Sequence, residues 1–169
     1  MKTILVDITV DDSTIDSGNV FDVLEPVWWT ANIYDDYHAY KQSIAQFSVE
    51  QRFAHAIMWY DAEVSNGGHE QFYANSTGIV WQNALMGFDA IKHQQAFDIL
   101  NESVMRFGGS PDFDRESRYQ QMITNSLEFE DLDERFYELE IFTDLKNYIF
   151  KNRHSFYFTG RVEKYVAQE

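Results

Sequence analysis

Cysteine is absent from this 169-residue chain, which excludes a disulfide framework, a thiolate nucleophile and a zinc–thiolate site. The absence fits a reducing, cytoplasmic setting. Proline is nearly absent, with two residues, so few positions interrupt helices and long disordered stretches are not expected. Long apolar runs are missing too. No segment approaches the roughly 20 apolar residues that span a bilayer. The opening run from Met1 to Val6 is too short for a signal peptide and is interrupted by Asp7. Basic residues are scarce: 13 Lys and Arg stand against 28 Asp and Glu, a formal net charge of -15. Nucleic acid and anionic membrane would both repel such a chain, which leaves a basic protein as the electrostatic partner.

Aromatic residues are plentiful, with 14 Phe, 10 Tyr and 4 Trp. Together with the chain length they predict one well-packed domain over residues 1–169, because two independent cores would be cramped. The charge is unevenly placed. Residues 1–40 carry Asp7, Asp11, Asp12, Asp16, Asp22, Glu25, Asp35 and Asp36 against Lys2 alone, a net of -7. Residues 128–144 carry Glu128, Glu130, Asp131, Asp133, Glu134, Glu138, Glu140 and Asp144 against Arg135 alone, again -7. The tail from 145 onward is net positive through Lys146, Lys151, Arg153, Arg161 and Lys164.

Periodicity predicts a mainly helical, multi-helix bundle with a possible small β element. Ile4, Val6, Ile8 and Val10 alternate as in a strand, and the segment 155–166, with a Thr159-Gly160 turn, offers either its mate or a helical tail. Helices are expected over 20–33, with Pro26 in the first turn or at a kink, and over 35–46. A Ser48/Gln51 capping box opens the next helix, whose stripe is Val49, Phe53, Ala56, Ile57, Tyr60 and Val64. Further stripes run through Trp81, Ala84, Leu85, Phe88 and Ile91, and through Ala96, Ile99, Leu100, Val104 and Phe107. A helix over 115–127 and a continuous acidic helix over 131–151, capped by Asp131 with Glu134, complete the set. On that last helix Tyr137, Ile141 and Tyr148 fall within the acidic arc, opposite Leu132, Phe136 and Leu139. At about 1.5 Å rise per residue its charge density approaches that of one DNA strand, about one per 3.4 Å.

The stretch Glu63 to Gly78 joins a helix stop at Asn66-Gly67-Gly68, a short second helix and another stop at Gly78. Ala62-Glu63-Val64, Asn66-Gly67-Gly68, Gln71-Phe72-Tyr73, Asn75-Ser76 and Gly78, followed by the Phe107-Gly108-Gly109 stop, resemble the bacterial DNA-mimic protein family of small acidic helical proteins. That resemblance places the family core at about 45–150 after an acidic extension, 1–44. It implies a mostly helical fold, a homodimer, no catalysis, no cofactor, and binding to a DNA-binding protein, such as a transcriptional regulator, in place of DNA. The candidate partner-binding carboxylates are Glu130, Asp131, Asp133, Glu134, Glu138, Glu140 and Asp144, with Asp11, Asp12, Asp16, Asp35 and Asp36 as a second patch.

Catalytic signatures are few. No two of the five histidines stand four apart as a helical zinc pair would, and the chain has no Glu-x-x-His unit; the nearest match is Asp35-x-x-His38. Neither glycine pair has the flanks of a phosphate loop, and no Gly-x-Ser-x-Gly elbow exists. His55, Trp59 and Glu63 stand four apart and read as a packed edge with polar tips in water. Glu63, Asn66, Gly67, Gly68, Gln71, Asn75 and Gly78 read as a structural motif, with Glu63, Gln71 and Asn75 bonding the backbone of the glycine turn. A metal or acid–base site at Glu63 and His69 is the enzyme alternative, and an immunity or antitoxin-type inhibitor of a basic nuclease is the alternative within the binding class.

Overall fold

Alternating apolar residues need a partner strand, and the two ends of the chain supply one another. In the computed structural model, which describes residues 2–166, β1 (Lys2–Val10) pairs antiparallel with β2 (Phe158–Val166), from Thr3 opposite Tyr165 to Val10 opposite Phe158. Ile8, Val10 and Val162 are buried against the helices, whereas Ile4 at the outer end of the ribbon is 41% exposed. The tail is neither helical nor turned at Thr159-Gly160: β2 runs straight through, with Gly160 opposite Ile8.

Between the strands lie α1 (Asp12–Asp16), α2 (Val20–Thr30) and α3 (Tyr37–Ile44), whose first turns are capped by the side chains of Asp11, Asn19 and Asp36. Pro26 sits in the second turn of α2 and the helix continues through it. The long α4 (Val49–Ala74) opens with the reciprocal Ser48–Gln51 box, and Ser48 Oγ also donates to the Ser155 carbonyl, which ties the helix start to the far end of the chain. After a 3₁₀ turn over Ser76–Val80 come α5 (Trp81–Ala90), α6 (Gln94–Arg106), α7 (Arg115–Thr124), α8 (Glu130–Tyr137) and α9 (Phe142–Lys151).

Helix α4 runs through the core with α2, α5, α7 and α8 packed on it. Tyr60, at its centre, meets Phe72, Phe88 and Phe136 edge-on at centroid distances of 5.1 to 5.5 Å, an arrangement that adds quadrupole attraction to area burial.

The expected single acidic helix over 131–151 is instead two. Buried Leu132 and Phe136 stand four apart, as do Ile141, Leu145 and Ile149, but the step from Phe136 to Ile141 is five residues. In a straight helix that step would rotate the second set some 140° away from the first. A break at Glu138–Ile141 returns both sets to the core, which also takes Ile141 out of the acidic arc and half-buries Tyr148 edge-on to Phe156. The charge density estimated for a continuous helix therefore does not apply. Asp131 lies inside α8, and the residue at the cap position is Phe129, which supplies no side-chain bond.

Candidate functional site

The Asn66-Gly67-Gly68 stop kinks α4. Gly67 and Gly68 leave helical geometry, and Gly68, at φ +74 and ψ -179, occupies a region open essentially to glycine alone. A Cβ there would also fall 2.3 Å from Asp133 Oδ2. That carboxylate, reaching over from α8, accepts from the His69 amide at 2.8 Å, so it caps the second half of α4 in place of a local side chain.

Asp133 also receives the His69 ring. Tyr60 Oη lies 2.6 Å from His69 Nε2, and Nδ1 lies 2.5 Å from Asp133 Oδ1. Burial holds the Tyr60 hydroxyl well above the usual phenol range, with the neighbouring Tyr73, Asp133 and Asp61 adding to it. The Asp133 carboxylate can only accept, so Nδ1–H donates to it, and in the neutral ring Nε2 then accepts from the Tyr60 hydroxyl. The resulting Tyr–His–Asp chain has the connectivity of a catalytic relay, but Tyr60 and His69 are fully buried. With Phe136 against Tyr60 and Phe129 stacked on His69, the chain bolts α8 to α4.

Glu63 is the hub of a separate cluster. Its carboxylate accepts from Gln71 Nε2 at 2.7 Å, Asn75 Nδ2 at 3.0 Å and Thr77 Oγ1 at 2.8 Å, and Asn66 Nδ2 reaches Gln71 Oε1 at 3.2 Å. The motif thus closes on the Glu63 side chain more than on the backbone of the glycine turn, to which Gln71 makes one long bond through the Glu63 carbonyl. Glu63 and His69 share no bond; each has its own partners.

Arg118, from α7, was not singled out in the sequence. Fully buried, it donates to the carbonyls of Tyr73 and Asn75 at 2.7 Å and of Asp112 at 2.8 Å, which caps the end of α4 with a cation. Burial lowers its pKa to about 10, so it remains charged near neutral pH. Gly78 packs against this guanidinium, 2.7 Å from where a Cβ would stand, which is the physical reason for glycine at that position. An arginine among polar neighbours on an exposed-looking helix gives no sequence cue to burial.

His55 departs from its expected place on a wet edge. It is fully buried, accepts from Trp59 Nε1 at 3.0 Å and leaves Nδ1 without a partner. Burial lowers its pKa to about 3.

The twelve candidate carboxylates divide by what they touch. Asp11, Asp36 and Glu140 accept backbone amides at helix starts. Asp35 accepts from Asn32 Nδ2. Asp12 and Asp16 pair with Arg153 at 2.7 and 2.5 Å. Asp131 forms a two-pronged pair with Arg106, whose hydrogen bonds hold it down to about pKa 2, and Asp133 is committed to His69. Glu130, Glu134 and Glu138 are exposed and, with half-buried Asp144, accept no hydrogen bond among the described residues. Glu130, Glu134 and Glu138 are spaced four apart along α8 and its carboxyl cap, Glu138, opposite Leu132 and Phe136, and make one stripe about 12 Å long at 1.5 Å rise per residue. Of the three residues expected in the acidic arc, Tyr137 alone stands exposed beside the stripe, at 53%.

Among the described residues no three His, Asp or Glu side chains gather as metal ligands would, and no helix is long and apolar enough to cross a membrane. A family model described as DMP19-like protein matches residues 45–152, a range that holds the α4 kink, the Glu63 cluster, Arg118 and α8. No curated protein and no solved structure matches the chain.

Proposed function

The chain belongs to the DMP19-like protein family, and from that premise we propose that it is a binding protein rather than an enzyme, one that occupies the DNA-binding surface of a basic protein by presenting carboxylates in place of phosphates. The observation that carries this reading is the Glu130–Glu134–Glu138 stripe, three carboxylates unpaired among the described residues, along α8 and its cap, whose opposite face is docked on α4. A fixed array loses little entropy on binding, so its charge steers encounter and register. Tyr137 adds the aromatic contact area that charge alone lacks.

The binding reading is further supported by the state of the enzyme candidates. Glu63 accepts three donors, and both ring nitrogens of His69 are engaged in the core. One carboxylate per roughly 6 Å along the stripe is sparser than one DNA strand, at about 3.4 Å per phosphate. A homodimer that sets two such helices side by side would raise the density, and it forms part of the proposal.

Immobilised protein is the test, with a lysate of its own cells passed over it at low and at high salt. The expected capture is a DNA-binding protein, released as the Debye length falls from about 10 Å at 0.1 M to about 3 Å at 1 M, and displaced from its DNA site by the soluble protein. Capture of a basic nuclease would favour inhibitor over regulator. A captured protein that still binds DNA in the presence of excess chain contradicts mimicry.

A further inference from the structure

The end of α2 opens into a cavity of about 370 Å³, within the range of small-ligand sites. Trp28, Trp29, Trp59, Tyr34 and Tyr165 line it together with Asp35, and among the described residues no basic side chain lies in its wall. Trp28 and Trp59 are stacked at 4.3 Å, so they form one rigid double wall. Tyr34 and Tyr165 stand 75% and 61% exposed at the rim, so the cavity mouth joins them to the indoles in one aromatic patch. The carboxylate of Asp35 is held by Asn32 Nδ2 through Oδ2, and among the described residues Oδ1 takes no hydrogen bond. Thr30 and Ala31 also line the cavity, and α2 ends at Thr30, so the negative end of that helix dipole faces it.

Aromatic faces, one carboxylate and a helix carboxyl end all favour the same guest, a cation with a flat, weakly hydrated body. The fold already uses this chemistry nearby: the Lys164 ammonium, paired with Glu25, lies 5.8 Å from the centroid of Trp29. We propose that the cavity receives the guanidinium of an arginine side chain presented by a polypeptide partner, stacked on the indole wall and bonded to Asp35. A planar guanidinium fits this wall better than an ammonium, which keeps its water more tightly and cannot stack. The polypeptide source follows from the same charges, since the carboxylate of a free amino acid would meet Asp35 and the helix carboxyl end. The inference rests on the proposed function only for the partner's basic character. The pocket shares no residue with the α8 stripe, so the two fail separately.

The test follows the indole N–H signals of the full chain by NMR during titration with N-acetyl-arginine amide. Saturable shifts at Trp28, Trp29 and Trp59, with buried Trp81 unmoved, are expected. Asp35→Asn should weaken binding about three- to tenfold and Tyr34→Ala about threefold, and both residues are exposed enough to replace without loss of the fold. The neutral citrulline analogue should give no shift, the blocked lysine analogue a weaker one, and unblocked arginine a weaker one than its blocked form. Absence of saturable shifts overturns the proposal, as does citrulline or lysine binding as well as arginine. Tighter binding of unblocked arginine would overturn it in favour of a metabolite site. Substituting Glu130, Glu134 and Glu138 by Lys should leave the arginine titration unchanged even if partner binding is lost.

Discussion

The amino-terminal block and the block around α8 each carry a net charge of -7, yet the fold engages them differently. Cations from the carboxyl-terminal segment meet four of the eight acids of the first: Arg161 meets Asp7, Arg153 meets Asp12 and Asp16, and Lys164 meets Glu25. Asp11 and Asp36 cap helices in the same region. Around α8, Arg106 takes Asp131 and His69 takes Asp133, while the Glu130–Glu134–Glu138 stripe is left to solvent. The partners that make the difference lie some 140 residues from the acids they neutralise, brought there by the pairing of β1 with β2. Charge counted along a sequence is thus a poor measure of charge available to a partner. Lys146 and Lys151 also leave the stripe free, since neither forms an ion pair with it among the described residues.

The comparison presumes that α8 is bolted down while its outer face is free, and removing the bolt is the most damaging way to break it. Gly68→Ala places a Cβ against Asp133 in a backbone region closed to alanine; a loss of about 3 kcal/mol in urea unfolding is expected. Retained stability would mean that Asp133 does not dock at the kink.

Acid should loosen the scaffold next. Because burial holds His55 near pKa 3 against 6.5 for the ordinary group, the unfolded chain binds more protons between those values. Stability therefore falls as pH drops through 6.5 and continues to fall to about 3. Between pH 7 and pH 5 the expected loss from this residue is about 2 kcal/mol, read by urea midpoints, and His55→Gln should flatten that slope. An unchanged slope would place the proton uptake elsewhere.

Neutralised acids should matter least. Replacing Asp12 by Asn removes its pair with Arg153 and should cost about 1 kcal/mol or less, with partner affinity unchanged within about twofold. A large affinity loss would return the acids paired with the carboxyl-terminal segment to the binding surface.

Much of the fold was legible in the sequence. The helix stripes of α4, apart from exposed Val49, and of α6, the Ser48–Gln51 box and the strand alternation of β1 all rest on local spacing and appear as expected. The break between α8 and α9 was also encoded, in the five-residue step from Phe136 to Ile141, but the run of acids around it masked the change of face. The site was less legible. Asp133 looked like any other acid of its block, although it is held inward by Gly68 and His69 some 64 residues away. Arg118 and His55 were hidden for the same reason, since no local pattern distinguishes a buried polar side chain from an exposed one until its partners are placed.

The central claim is that the free stripe, and not acidity in general, binds the partner. Its most direct test is a titration of the captured partner against three forms of the chain at one salt concentration: unaltered, Glu130→Lys/Glu134→Lys/Glu138→Lys, and Asp12→Asn. The stripe variant should fold as the unaltered chain does and bind at least about 100-fold more weakly, about 2.7 kcal/mol, while the Asp12 variant binds normally. Equal affinity of the stripe variant, with its fold intact, would contradict the claim.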